Sequence, residues 1–247
     1  MCVFTREIDY VTSTRIFARI EHARQAIIYD MYLSTDVETA MVLPIPVAKN
    51  HADNAVDFID LSHYEDIFID INALFPKSRG PVAASVSPGG SLNVVQVGVF
   101  EASYVPTMGD FSRLDPRFRL NEDFFQKLPA YKDYGFVVFQ LEPGKSQVHP
   151  MAFWFPTRHS DRLFFPTVHM HHGEVHKQDE YNHVLYGQGN ILDRAGGAVT
   201  QKTVGGDKIK VVMTRSQGLV SSESEIYKYT LLGHLKNKDT WFQLKGE

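Results

Sequence analysis

What most constrains the fold of this chain is the period of its apolar residues. Short runs dense in β-branched and aromatic side chains recur along the sequence, each closed by turn-forming residues, and one stretch alone changes to helical spacing. Residues 15–20 (RIFARI) and 26–33 (AIIYDMYL), separated by the polar connection 21–25, read as an antiparallel pair. Residues 40–47 (AMVLPIPV) are extended, and because Pro44 and Pro46 lack amide donors the segment is expected at a sheet edge. The helical stretch lies within 53–76. Ser62 and Glu65 have capping-box spacing, and Tyr64, Ile67, Phe68, Ile71 and Leu74 follow at helical intervals until Phe75-Pro76.

Residues 77–91 (KSRGPVAASVSPGGS) are rich in Gly, Pro and Ser and form a loop or an internal boundary. A strand is expected over 93–105, closed by Pro106, and Asn121 is placed to cap a short helix (EDFFQKL). Further strands are expected at 135–141, 151–155, 163–170, 209–213, 225–235 and 240–244, with a KNKD turn before the last. No βα alternation is present. The fold class is therefore α+β, predominantly antiparallel sheet with one or two short-to-medium helices, in a single domain over 1–247 whose internal boundary, if it has one, falls at 77–91.

Composition excludes several functions. The longest unbroken apolar run, 40–48, is far short of the ~20 residues that a membrane helix needs. With a formal charge of −4 and no basic run, the chain has no electrostatic footprint for nucleic acid. One cysteine forms no internal disulfide, and the opening MCVFTREIDY lacks the pattern of a secretory signal, so a cytoplasmic location is expected. The partner is then a small molecule or a protein.

The order of segments resembles a family of uncharacterised bacterial proteins, a domain of unknown function. The likeness lies in the Cys2-Val3-Phe4 opening, the strand pair, the AMVLPIPV segment, the VGVFEA strand (97–102), the LPAYKDYGFVVFQL stretch (128–141) and HPMAFWFPT (149–157), over residues 2–167. It implies a shared β-rich fold and no particular activity. Many members of that family begin with an export signal, which this chain lacks.

Seven of the eleven histidines fall between His149 and His183, four of them in HMHHGEVH. If His172-Gly173 is a two-residue turn, His171 opposes Glu174 and His169 opposes His176, all on one face, while Val168, Met170 and Val175 take the other. Three imidazoles and a carboxylate suit a divalent transition metal, Zn, Fe or Ni, with hydrolytic or oxygen-activating chemistry. Against this stands the simpler reading of solvated or hydrogen-bonded histidines. A one-residue slip in register would turn His169 and His171 to the core. Glu180 to Gly187 is similar to part of a cupin metal motif, though the spacing before it departs from that pattern.

A second chemistry centres on Cys2. Removal of Met1 would expose a thiol beside its own α-amino base, the arrangement of an N-terminal nucleophile. The opening looks like that of amidohydrolases of the bile-salt-hydrolase type, with Arg19 at the position of their arginine. Arg19-Ile20-Glu21-His22 lacks the asparagine and aspartate of their R-N-x-D segment. A small thiol packed at a strand start is the alternative.

The remaining signals are weak. Gly187-x-Gly189 lacks the third glycine of a dinucleotide fingerprint, no G-x-S-x-G is present, and Asp66 and Asp70 belong to a solvated helix face. A non-catalytic binding or interaction module therefore stands beside the two chemical readings.

Overall fold

The computed structural model describes residues 2–49, 52–76, 101–116, 119–120, 127, 129–170, 174–192, 201–203 and 207–245. In chain order the strands are β1 Cys2–Phe4, β2 Tyr10–Glu21, β3 Arg24–Thr35, β4 Thr39–Ile45 and β5 Asp57–Ile59, followed by helix α1, Ile67–Ala73. Then come β6 Ala102–Val105, β7 Gly135–Leu141, β8 Gly144–Gln147, β9 Met151–Pro156, β10 Arg162–Phe165, β11 His169–Met170, β12 Gln178–Gln188 and β13 Gln201–Lys202. Helix α2, Asp207–Arg215, precedes β14, Ile226–Lys236, and β15, Thr240–Gln243. The expected loop at 77–91 lies outside the described residues, as does the short helix after Asn121 except for Lys127, which is helical.

A five-stranded sheet in the order β11-β1-β4-β7-β6 faces an eight-stranded one, β13-β14-β12-β2-β3-β9-β5 with β8 added on β3, while β10 and β15 form a separate ribbon. Pairing is antiparallel except at β1–β11 and β12–β2. The fold is thus α+β with mainly antiparallel sheet. Between the sheets lies one apolar layer, to which Ile16 and Ile27 (β2, β3), Leu43 (β4), Phe139 (β7) and Phe153 (β9) contribute. The second face of the eight-stranded sheet, through Phe17, Ile28 and Tyr186, is covered by Phe68 and Ile71 of α1 and Val212 of α2. The outer face of the five-stranded sheet carries a third cluster, including Val3, Val42, Phe136, Tyr131, Val168 and Met170. Strands β3 and β4 are therefore buried on both faces, which explains their unbroken apolar runs.

The β2–β3 hairpin closes at His22-Ala23, both with positive φ (47° and 58°), the backbone of a two-residue turn whose twist matches the strands. Segment 40–45 is interior to its sheet and not at an edge, yet the physical reason for expecting an edge survives locally. β7 pairs with β4 from Thr39 to Ile45, while β1 covers only Met41 and Val42, so Pro44 lies where the second side needs no donor.

Helix α1 starts later than its capping box predicts. The Ser62 amide is taken by Asp60 Oδ1 at 2.8 Å in a preceding turn, and Asp66 stands at the N-cap without a side-chain bond. Residues 209–213, expected as a strand, are helical in α2. Ile209 and Val212 are buried three residues apart while Lys210 and Val211 point outward, a spacing that only a helix allows. Among the described residues no helix is long and apolar enough to cross a membrane.

Candidate functional site

The turn between β14 and β15, Asn237-Lys238-Asp239, organises a polar cluster at the edge where β11 joins β1. Asp239 Oδ1 accepts the amides of Thr167 (2.9 Å) and Val168 (3.1 Å), and Oδ2 accepts the Tyr131 hydroxyl at 2.6 Å. Burial raises the Asp239 carboxyl above its usual range, and these donors work in the opposite direction. Asn237 Oδ1 accepts the His169 amide at 2.7 Å and the Tyr181 hydroxyl at 3.2 Å, while its Nδ2 donates to the carbonyls of His169 (2.8 Å) and His176 (3.0 Å). The Thr167 hydroxyl donates to the Lys238 carbonyl at 2.9 Å. A short turn thereby fixes the backbone of 167–169, and through the β1–β11 ladder the first strand as well.

Beside this cluster opens a cleft of about 450 Å³, lined by the apolar and aromatic Tyr131, Tyr134, Val168, Val175 and Trp241 and by the polar Lys127, Asn237, Lys238 and Asp239. Its rings are fixed by their neighbours. Tyr131 and Tyr134 meet edge-on at 5.1 Å, Trp241 stands against Phe164 at 4.7 Å and edge-on to His159 at 5.1 Å, and the Arg158 guanidinium lies 5.0 Å from the Tyr134 ring. Arg158 is itself held by Asp133 Oδ2 at 2.7 Å. Burial pushes the Tyr134 phenol up to about 12 and Tyr131 further still. A second cleft of about 160 Å³ beside Phe58 and Met151 is much smaller.

The structure distributes the sequence-predicted metal ligands differently from the expected hairpin face. His169 is buried, stacked on Tyr181 at 4.4 Å, with its Nε2 3.2 Å from Nε2 of His183 and its Nδ1 3.7 Å from Asp179 Oδ1. Its ladder partner is Cys2, and the Asn237 amide stands between the His169 and His176 carbonyls. Glu174 and His176 are exposed, and His171 lies outside the described residues. Among the described residues no three metal-ligating side chains come together.

Cys2 begins β1 of the five-stranded sheet, whereas Arg19 is on β2 of the eight-stranded one. The Arg19 guanidinium donates to the Leu219 (2.9 Å) and Gly218 (2.6 Å) carbonyls and lies over Trp154, on the helix-bearing face. Arg19 is thus committed to anchoring the 218–219 turn.

Sequence reasoning takes the aromatic stretch from Tyr131 to Phe136 as core filling and residues 236–239 as a turn, and does not single out Trp241, Asn237 or Asp239. The available signals were a Tyr-x-x-Tyr pair enclosing Lys132 and Asp133 and a turn with two side chains able to accept backbone amides, which read locally as core and loop.

No protein-family profile and no curated relative matches the sequence. Among solved structures the chain is similar to baculovirus P35, with a TM-score of 0.53 at 12% identity, over 99% of this chain and 100% of that one. It is also matched by a mutated baculovirus P35 after caspase cleavage (TM-score 0.49, 11% identity, 95% and 100% of the chains) and by the caspase-8/P35 complex (TM-score 0.44, 11% identity, 94% and 96%). The likeness to P35 establishes a shared fold along the whole length.

Proposed function

We propose that this chain is a non-catalytic protein that acts by binding another protein. The observation that carries the reading is the whole-length fold likeness to P35 at a TM-score of 0.53, for a protein that itself occurs in a complex with caspase-8. The architecture is compatible with it. The polar side chains gathered at the 237–239 turn are engaged in holding strands, with Asp239 accepting three hydrogen bonds and Asn237 four groups. Caspase-8 is accordingly the first partner to test.

Purified chain mixed with caspase-8, and in parallel with a panel of other caspases, is expected to give a complex by size-exclusion chromatography and to lower hydrolysis of a fluorogenic peptide in proportion to the chain added. Failure to form a complex with every member of the panel, with protease activity unaffected throughout, would overturn the reading.

A further inference from the structure

We propose that the cleft between Tyr131, Tyr134 and Trp241 receives an acidic peptide segment of the partner, seating one bulky apolar side chain among the three rings and laying a carboxylate against Lys238. This rests on the reading of the chain as a protein-binding module and specifies the chemistry of what it binds.

Shape gives the first argument. A concavity of about 450 Å³ lies within the roughly 300–1,000 Å³ range of ligand pockets, and its mixed lining sets three rings for an apolar side chain beside polar groups that include Lys238. Its walls are preorganised. The Tyr131 hydroxyl is held by Asp239, Trp241 is wedged against Phe164 and His159, and Tyr134 is sandwiched by Tyr131 and Arg158, so little rotamer freedom is lost when a guest enters. Aromatic residues in such settings are the usual anchors of protein interfaces.

Charge gives the second. Lys236 and Lys238 flank Asn237, whose amide donates to the Lys177 carbonyl at 3.0 Å, so the backbone brings three exposed lysines near one another, and of these Lys238 lines the cleft. None of the three takes part in an ion pair among the described residues. Two carboxylates at or near the cleft are engaged: Asp239, which lines it, by three donors, and Asp133 by Arg158. Exposed Glu174 precedes the lining residue Val175 and carries the opposite charge, and the exposed lysines outnumber it, a balance that favours an anionic guest.

Trp241 is its own reporter once the other tryptophan is replaced. In Trp154→Phe, titration with the acetylated, amidated tripeptide Asp-Phe-Glu is expected to change the fluorescence of Trp241 saturably. Asp-Gly-Glu and Lys-Phe-Lys are expected to leave it unchanged, and added salt to weaken the effect. Lys238→Glu, an exposed substitution that spares the fold, should weaken binding by about fivefold. Tyr134→Ala should abolish it, with a far-ultraviolet spectrum confirming folding. No saturable change, an equal response to Lys-Phe-Lys, or indifference to Lys238→Glu overturns the proposal. Caspase binding by wild type that survives both substitutions would defeat the cleft and leave the protein-partner reading intact, whereas peptide binding without any caspase complex would do the reverse.

Discussion

Asp30 has no exposed surface, and Arg15 clasps it with Nε on Oδ1 at 2.9 Å and Nη2 on Oδ2 at 2.5 Å. Burial outweighs this pairing and pushes the carboxyl up to about 7. An unfolded aspartate ionises near pH 4, so between pH 4 and 7 the folded state keeps a proton that the unfolded chain has lost, and stability falls as pH rises through that window. From pH 5 to 8 the contribution is a loss of about 2–3 kcal/mol. In urea denaturation the wild type is therefore expected to weaken over this interval relative to Asp30→Asn, which cannot titrate; parallel pH profiles for the two proteins would mean that Arg15 keeps Asp30 ionised throughout. Individual residues of this kind were the least legible in the sequence. Alternation along HMHHGEVH placed His169 on a polar face, but its environment is set by Tyr181 and His183 on β12 and by Asn237, none of them readable from its immediate neighbours.

Elements were legible wherever the local period decided the outcome. β7 matches its expected bounds, β9 extends one residue beyond, and the β2–β3 pair forms in the expected antiparallel sense with both strands longer than predicted. Misreadings arose where composition and period disagreed. The β-branched residues of 209–213 pointed to a strand, yet their burial against the sheet follows the helical interval, and packing overrides propensity. β12, central in the eight-stranded sheet, mixes polar and apolar residues because its two ends differ in burial. The hairpin turn offers a test at this scale. His22 and Ala23 both adopt left-handed backbone, which costs a residue with a Cβ about 1 kcal/mol relative to glycine. The double substitution His22→Asn, Ala23→Gly should raise stability by roughly 1 kcal/mol in thermal or urea unfolding, since Asn-Gly is the preferred pair for such a turn. A loss of stability would show that the exposed His22 and Ala23 side chains make contacts worth more than the backbone strain.

At the scale of the molecule, closure depends on pairings between distant parts of the sequence. β1 joins β4 to β11, β12 lies parallel to β2, and β15 returns to β10. Asp239 stands where three of these parts meet, holding the 167–168 backbone and the 129–131 turn to the β14–β15 connection. Asp239→Ala would leave the amides of buried Thr167 and Val168 and the phenol of buried Tyr131 without their acceptor, at a cost of about 2–5 kcal/mol. Because β1 is paired to β11 directly after those amides, the damage should spread: hydrogen exchange is expected to accelerate together in β1, in β11 and in the 129–134 segment, while the β2–β3 hairpin keeps its protection. Acceleration confined to 237–239 would mean that the two sheets close independently of this turn. A uniform increase across both sheets would instead make the turn part of a single cooperative unit, and the rigidity on which the aromatic cleft depends would then be a property of the whole sandwich and not of its edge.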